Sequence, residues 1–266
     1  MPAVRLFSRR DRTALINQLA HQILEARPRP GHHGASDSNG SAARFAAAAL
    51  ALAAGAPVIA YLLVGGQLIA LSVATLVYLL AAALAGLLMA RCPALGQVGM
   101  CNIVTLTRLV LTSALAAPLV TPGTAMGIVT VASLALILDG IDGWLARRHG
   151  HESAFGARFD MEVDAALGLV LALNAWAAGT VGPVVLLLGV PRYLFGVAGS
   201  VWPMLGRPLP ERFGRKVVCV LQIVALIALQ LPWLAGPTAT AVVLAALLAL
   251  AWSFGRDVLW LWKASS

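Results

Sequence analysis

Charge is what this chain has least of. Only 11% of its 266 residues are Asp, Glu, Lys or Arg and 6% are aromatic, against 60% hydrophobic. A water-exposed surface cannot be assembled from so few charges, and with a mean hydropathy of +0.86 the composition is that of an integral membrane protein. Cysteine is scarce as well. Cys92, Cys101 and Cys219 have no C-x-x-C spacing, so neither a zinc site nor a disulfide framework is expected of thiols that the topology below places at cytosolic helix ends. The apolar runs are continuous and lack alternation, which excludes a closed β-barrel. No long apolar run lies in the first 43 residues. The first one starts too late and runs too long for a cleaved secretory signal, so the basic N-terminal segment is expected to be retained. The formal charge of +8 sits beside the apolar runs, where membrane orientation explains it without a nucleic-acid partner.

What the chain does have is apolar length. About 20 apolar residues cross the hydrocarbon core, and cutting at Gly, Pro and charge gives eight segments: 44–64, 68–90, 103–120, 124–147, 158–179, 183–205, 216–235 and 238–261. The expected fold is all-α, with about eight transmembrane helices. Alternate connections are short and uncharged: Gly65-Gly66-Gln67, Thr121-Pro122-Gly123, Thr180-Val181-Gly182 and Gly236-Pro237. The others carry the basic residues, from Arg5, Arg9, Arg10, Arg12, Arg27 and Arg29 through Arg91, Arg147, Arg148 and Arg158 to Arg207, Arg212, Arg215 and Lys216. By the positive-inside rule both termini and every charged loop face the cytosol, as in a bacterial inner membrane.

Before the first span, Leu15, Ile16, Leu19, Ala20, Ile23 and Leu24 recur at helical spacing. They read as an amphipathic helix, either on the cytosolic leaflet or docked on the protein. Residues 27–41 are rich in Pro, Gly and Ser and read as a flexible linker, with His32 and His33 exposed rather than metal-bound. The chain thus divides into a basic segment 1–43, two spans in 44–95, and six spans in 96–266.

Six of the eleven acidic residues fall between Asp139 and Asp164. Carboxylates at membrane depth mark functional sites. Asp139 and Asp142 are three apart, and Asp160 and Asp164 four apart, so each pair shares a helix face. Two antiparallel helices joined by a short loop bring the pairs together, where like charges repel unless compensated. Divalent cations are the natural compensation: an all-oxygen set suits Mg²⁺, Mn²⁺ or Ca²⁺, four carboxylates can bridge two ions, and such pairs clamp phosphoryl groups. The alternative is that Asp142 and Asp160 form interfacial salt bridges with Arg147, Arg148 or Arg158.

Residues 139–164, DGIDGWLARRHGHESAFGARFDMEVD, fit D-x2-D-G-x2-A-R-x8-G-x3-D-x3-D at Asp139, Asp142, Gly143, Ala146, Arg147, Gly156, Asp160 and Asp164. This resembles the motif of the CDP-alcohol phosphatidyltransferase family. Gly143 and Gly156 remove side chains where a nucleotide would approach the backbone, Ala146 lets helices pack closely, and Arg147 offers a forked donor to phosphate. Upstream, Asn102, Thr105 and Arg108 resemble the N-x2-T-x2-R that opens the family's first core helix; their spacing of three keeps them in one sector. The resemblance covers roughly residues 100–262 and implies a six-helix core preceded by two extra spans.

The resemblance also implies an activity. An acceptor hydroxyl would attack the lipid-bearing phosphate of a CDP-alcohol such as CDP-diacylglycerol, with release of CMP. Asp139, Asp142 and Asp160 would hold two divalent ions, Mg²⁺ or Mn²⁺, and Asp164 would complete the site and act as general base. Asn102, Thr105 and Arg108 would contact the nucleotide, and a homodimer in membrane lipid would be expected. Every motif lies after residue 95, so the first two spans are expected to be dispensable for chemistry.

For the acceptor, Arg192 lies near the middle of the sixth span after Pro191, and Arg215-Lys216 opens the seventh. A cation at that depth usually faces an anion, which makes Arg192 a candidate for binding a phosphate on the acceptor; Arg215 and Lys216 are candidates too, with plain positive-inside topology as their alternative. Glu162 falls on another face than Asp160 and Asp164 and reads as supporting rather than ligating. A membrane prenyltransferase would show two separated aspartate-rich motifs instead of one compact frame. A cation transporter would need a polar path through outer half-spans that are almost purely apolar.

Overall fold

The computed structural model describes residues 36–91, 100–149, 154–194 and 213–265, and these contain helix and turn but no strand. The amphipathic helix expected around Leu15–Leu24, both histidines of the linker, and Arg207 and Arg212 lie outside the described residues. In chain order the helices are α1 (Ser36–Leu52), α2 (Gly55–Val64), α3 (Leu68–Arg91), α4 (Met100–Ala114), α5 (Ala125–His149), α6 (Ala154–Ala177), the single turn α7 (Leu186–Gly189), α8 (Phe213–Ala228) and α9 (Pro237–Ser265). The chain divides after Asn39, and Gly40–Ser266 forms one helical body.

The expected spans match this order with three differences. The first is two helices, α1 and α2, separated by a turn at Ala53 and Ala54. The break lets Gly55 approach α4, where a Cβ would lie 2.9 Å from Val110 Cγ1. Helix α1 also begins at Ser36, inside the stretch that composition assigns to a linker; Ser and Asp are as favourable at a helix start as in a flexible segment. The sixth span opens as a 3₁₀ turn at Pro183–Val185, followed by the short α7, and everything after residue 194 in it lies outside the described residues. All four uncharged connections fall at turns between helices. Gly65 shows why: it closes α2 at φ 77°, a conformation other residues rarely adopt, with its N–H donating to Tyr61 O at 2.8 Å.

Four described segments are long and apolar enough to cross a membrane: Ala42–Val64, Leu68–Met89, Asn102–Leu119 and Pro237–Arg256, with Ala125–Ile141 a shorter apolar helix. Of the four, Asn102–Leu119 is 72% buried and the others 22–28%, so α4 runs through the middle while α1–α3 and α9 expose lipid-facing leucines such as Leu62, Leu68 and Leu248. The protein is an all-α integral membrane protein.

Two apolar clusters hold the body together. One joins Leu111–Ala117, Ala132 and Ala135 to Leu167–Ala175 of α6, Leu188, Leu226 and Leu250. The other joins Phe45, Ala49, Tyr78, Ala82, Ala85 and Met89 to Leu106, Leu109, Val110, Phe155, Phe159 and Val163. In the first, buried amides tie neighbouring backbones: Asn174 Nδ2 donates to Leu115 O at 2.9 Å, and Gln230 Nε2 to Leu171 O at 2.9 Å. Such bonds hold helices together where lipid supplies no hydrophobic force between them.

Candidate active site

Helix α4 presents Asn102, Thr105 and Arg108 on one face, and all three are buried. Arg108 is the single charged residue between positions 103 and 120, and its side chain is only 1% exposed. Its guanidinium reaches two other helices. Nε donates to the backbone oxygen of Ala135 at 3.3 Å, and Nη1 lies 3.0 Å from Oδ1 of Asp139, one turn further along α5. Nη1 also pairs with Asp160 of α6, and Nη2 with Asp164, one turn beyond it. An arginine at this depth must be paired, and its five fixed donors let one side chain serve several acceptors.

The i,i+4 pair on α6 and Asp139 on α5 therefore converge, as their spacing predicts. One oxygen from each of Asp139, Asp160 and Asp164 falls within 4.8 Å of the others. Their side chains are 27%, 34% and 43% exposed, with Asp164 the most open. Asp142 lies on α5 one turn after Asp139, with Gly143 beside it; the side chains of Asp142, Ala146 and Arg147 lie outside the described set. Gly156 falls in the first turn of α6.

The donor set fits a hard divalent cation. It is all oxygen, with neither thiol nor imidazole. With all three carboxylates ionised, three negative charges gather around the positive charge of Arg108. A buried donor, Nδ2 of Asn102, also has no partner among the described residues, although buried amides normally find one. The site thus gathers three carboxylates on Arg108, and the helix face that carries this arginine also carries an unused hydrogen-bond donor.

The part played by Arg108 was not anticipated from sequence, which assigned it to the nucleotide and looked for the aspartates' partners in Arg147, Arg148 and Arg158. A lone cation in an apolar span, beside a helix pair rich in carboxylates, was the available signal. Arg192 differs from expectation in another way. It follows α7 near Pro191, is 40% exposed on its side chain, and pairs with Oε1 of Glu162 through Nη2 at 2.5 Å. The anion it needs is thus supplied by the chain, on the face of α6 next to the one carrying Asp160 and Asp164, so depth alone no longer argues for a phosphate there. Arg215 and Lys216 occupy the first turn of α8, which packs against α5 and α6.

The family model described as CDP-alcohol phosphatidyltransferase matches residues 98–255, more than half of the chain. The match takes in Arg108 and all four aspartates, and leaves α1–α3 outside it. No curated protein and no solved structure matches the chain.

Proposed function

The chain belongs to the CDP-alcohol phosphatidyltransferase family, and on that premise we propose that it transfers a phosphatidyl group from CDP-diacylglycerol to an acceptor alcohol with release of CMP. Family membership makes it a membrane transferase acting on CDP-alcohols. The donor lipid, the acceptor and the residue roles belong to the proposal. What carries it is the convergence of Asp139, Asp160 and Asp164 from two helices of the family motif around one buried arginine.

In the reaction, the acceptor oxygen bonds to the lipid-bearing phosphorus. The bond from that phosphorus to the bridging oxygen of the pyrophosphate breaks, CMP leaves with that oxygen, and the hydroxyl proton passes to Asp164. Asp164 suits the role because it is the most open of the three carboxylates, while Arg108 fixes its orientation from behind. Asp139, Asp142 and Asp160, completed by Asp164, would hold two Mg²⁺ or Mn²⁺ ions, which when bound would offset the charge of the pyrophosphate and of the departing CMP. Asn102, through its unpaired Nδ2, and Thr105 would meet the nucleotide. Gly143 and Gly156 keep the backbone approachable, and Ala146 and Arg147 take their roles from the family motif.

The basic connections support a topology with both termini and the site on the cytosolic side, where CMP and a water-soluble acceptor would exchange while acyl chains stay in the bilayer. A phosphate on the acceptor would be read by Arg215 and Lys216 at the amino end of α8 and by Arg192, which also pairs with Glu162. The test uses the full chain, purified in detergent, with CDP-diacylglycerol, Mg²⁺ and a panel of glycerol 3-phosphate, inositol phosphate, inositol and serine. The expected outcome is CMP and a new phospholipid from a phosphorylated alcohol, abolished by EDTA. No CMP from any alcohol would overturn the proposal, and turnover with inositol or serine alone would remove the acceptor phosphate from it.

A further inference from the structure

The two apolar clusters divide α6 between them, and the division falls at the site. Phe155, Phe159 and Val163 pack in the cluster with α1 and α3, whereas Leu167, Val170, Leu171, Ala172 and Ala175 pack in the other. Asp160 and Asp164 follow Phe159 and Val163 in sequence, so the acidic turns of α6 are the turns that rest on the N-terminal helices. The contact is specific. Phe45 of α1, 1% exposed, sets its ring 5.7 Å from Phe155 at 90° and 5.7 Å from Phe159 at 77°. Those two rings stack on each other at 5.9 Å and 18°. Edge-on packing of this kind fixes ring orientation as well as separation. Phe155 and Phe159 lie one helical turn apart on either side of Gly156 and next to Asp160, so holding both rings fixes the rotation of α6 about its axis. The same cluster includes Leu109, the neighbour of Arg108. Tyr78 of α3 anchors the wedge from behind, donating its hydroxyl to Ala49 O at 2.8 Å.

We propose that α1, through Phe45, is a positioning element of the active site: it sets the rotation of α6 and thereby the placement of Asp160 and Asp164 relative to Arg108 and Asp139. The inference rests on the reading of those aspartates as the reaction centre. It reverses the expectation that residues 1–95 are dispensable for chemistry, since α1 and α3 lie outside the family match and yet hold the helix that carries two of its aspartates. The physical premise is that a ligand set works only when its supports are rigid, and loss of a supporting contact typically weakens metal binding by about 10-fold to 100-fold.

The experiment compares the unmodified full chain with Phe45→Ala, with Phe45→Leu, which restores apolar volume, and with Leu50→Ala, a change on the lipid-exposed face of the same helix. Hydrogen exchange is followed over residues 154–164 and 167–177 without added metal, and Mn²⁺ affinity is measured by electron paramagnetic resonance. Phe45→Ala is expected to speed exchange over 154–164 but not over 167–177, and to weaken Mn²⁺ binding by about tenfold or more. Phe45→Leu should recover most of both losses, and Leu50→Ala should match the unmodified chain. Equal Mn²⁺ affinity in Phe45→Ala and the unmodified chain would overturn the positioning role even if thermal stability fell. If the unmodified chain bound no Mn²⁺ while Phe45→Ala still loosened only 154–164, the metal assignment would fail and the positioning role would stand.

Discussion

The two ends of α6 are polar in different ways. Toward Ala177, Asn174 and its neighbour Gln230 spend their amide donors on backbone oxygens, at Leu115, Val170, Leu171 and Leu226, and the result is neutral and closed. Toward Ala154, Asp160 and Asp164 share the guanidinium of Arg108 with Asp139. Here three partly exposed acids gather on one guanidinium. Both arrangements place polar groups at membrane depth, and they differ in charge. A neutral, satisfied polar group in a membrane is glue; a cluster of ionisable groups there marks a site. The difference separates structural from functional polarity along a single helix.

The comparison can be broken at the acidic end with the largest effect. Asp164→Asn keeps the shape of the side chain and removes the proposed base, so kcat should fall by about 100-fold to 10,000-fold with a much smaller change in affinity for the CDP-alcohol. Steady-state CMP release and nucleotide-binding titration separate the two, and normal turnover would move the base elsewhere. Next in size is Arg108→Gln, which leaves the three carboxylates without their buried cation. Loss of one partner from a buried ion pair typically costs about 3–5 kcal/mol, so the metal-free protein should melt well below the unmodified one. Mg²⁺ should then recover more of that loss in the variant than it adds to the unmodified chain, because the ion has no guanidinium to compete with. Thermal melts with and without Mg²⁺ measure this, and an equal Mg²⁺ increment in both would argue against a shared site. The smallest effect is expected at the closed end: Asn174→Leu should lower stability by about 0.6–1.7 kcal/mol and leave Mn²⁺ affinity and turnover unchanged. A fall in Mn²⁺ affinity there would erase the distinction between the two ends.

Much of this was legible beforehand because it is local. Hydropathy and the placement of Arg and Lys marked the helices and the uncharged turns, and spacings of three and four put Asp139, Asp160 and Asp164 on facing helix surfaces. The remainder depends on contacts between residues far apart in the chain. Arg108 meets Asp160 across 52 positions and Asp164 across 56, and no local periodicity announces that a cation from α4 will lie among acids of α5 and α6. Phe45 reads as one more apolar residue of a lipid-facing span until its ring is found against Phe155. Arg192 reads as an unpaired cation because its partner, Glu162, is 30 positions away. The break at Ala53 and Ala54 escaped hydropathy because neither residue interrupts an apolar run.

The central claim is that the acidic end of α6, together with Asp139, takes up divalent cations. The most direct measurement is a Mn²⁺ titration of the full chain in detergent, followed by electron paramagnetic resonance, with the Asp139→Asn/Asp160→Asn double variant alongside. Saturable binding by the unmodified chain, displaced by Mg²⁺ and lost in the folded double variant, is the predicted result. Equal Mn²⁺ binding by both proteins, or none by the unmodified chain, would contradict it.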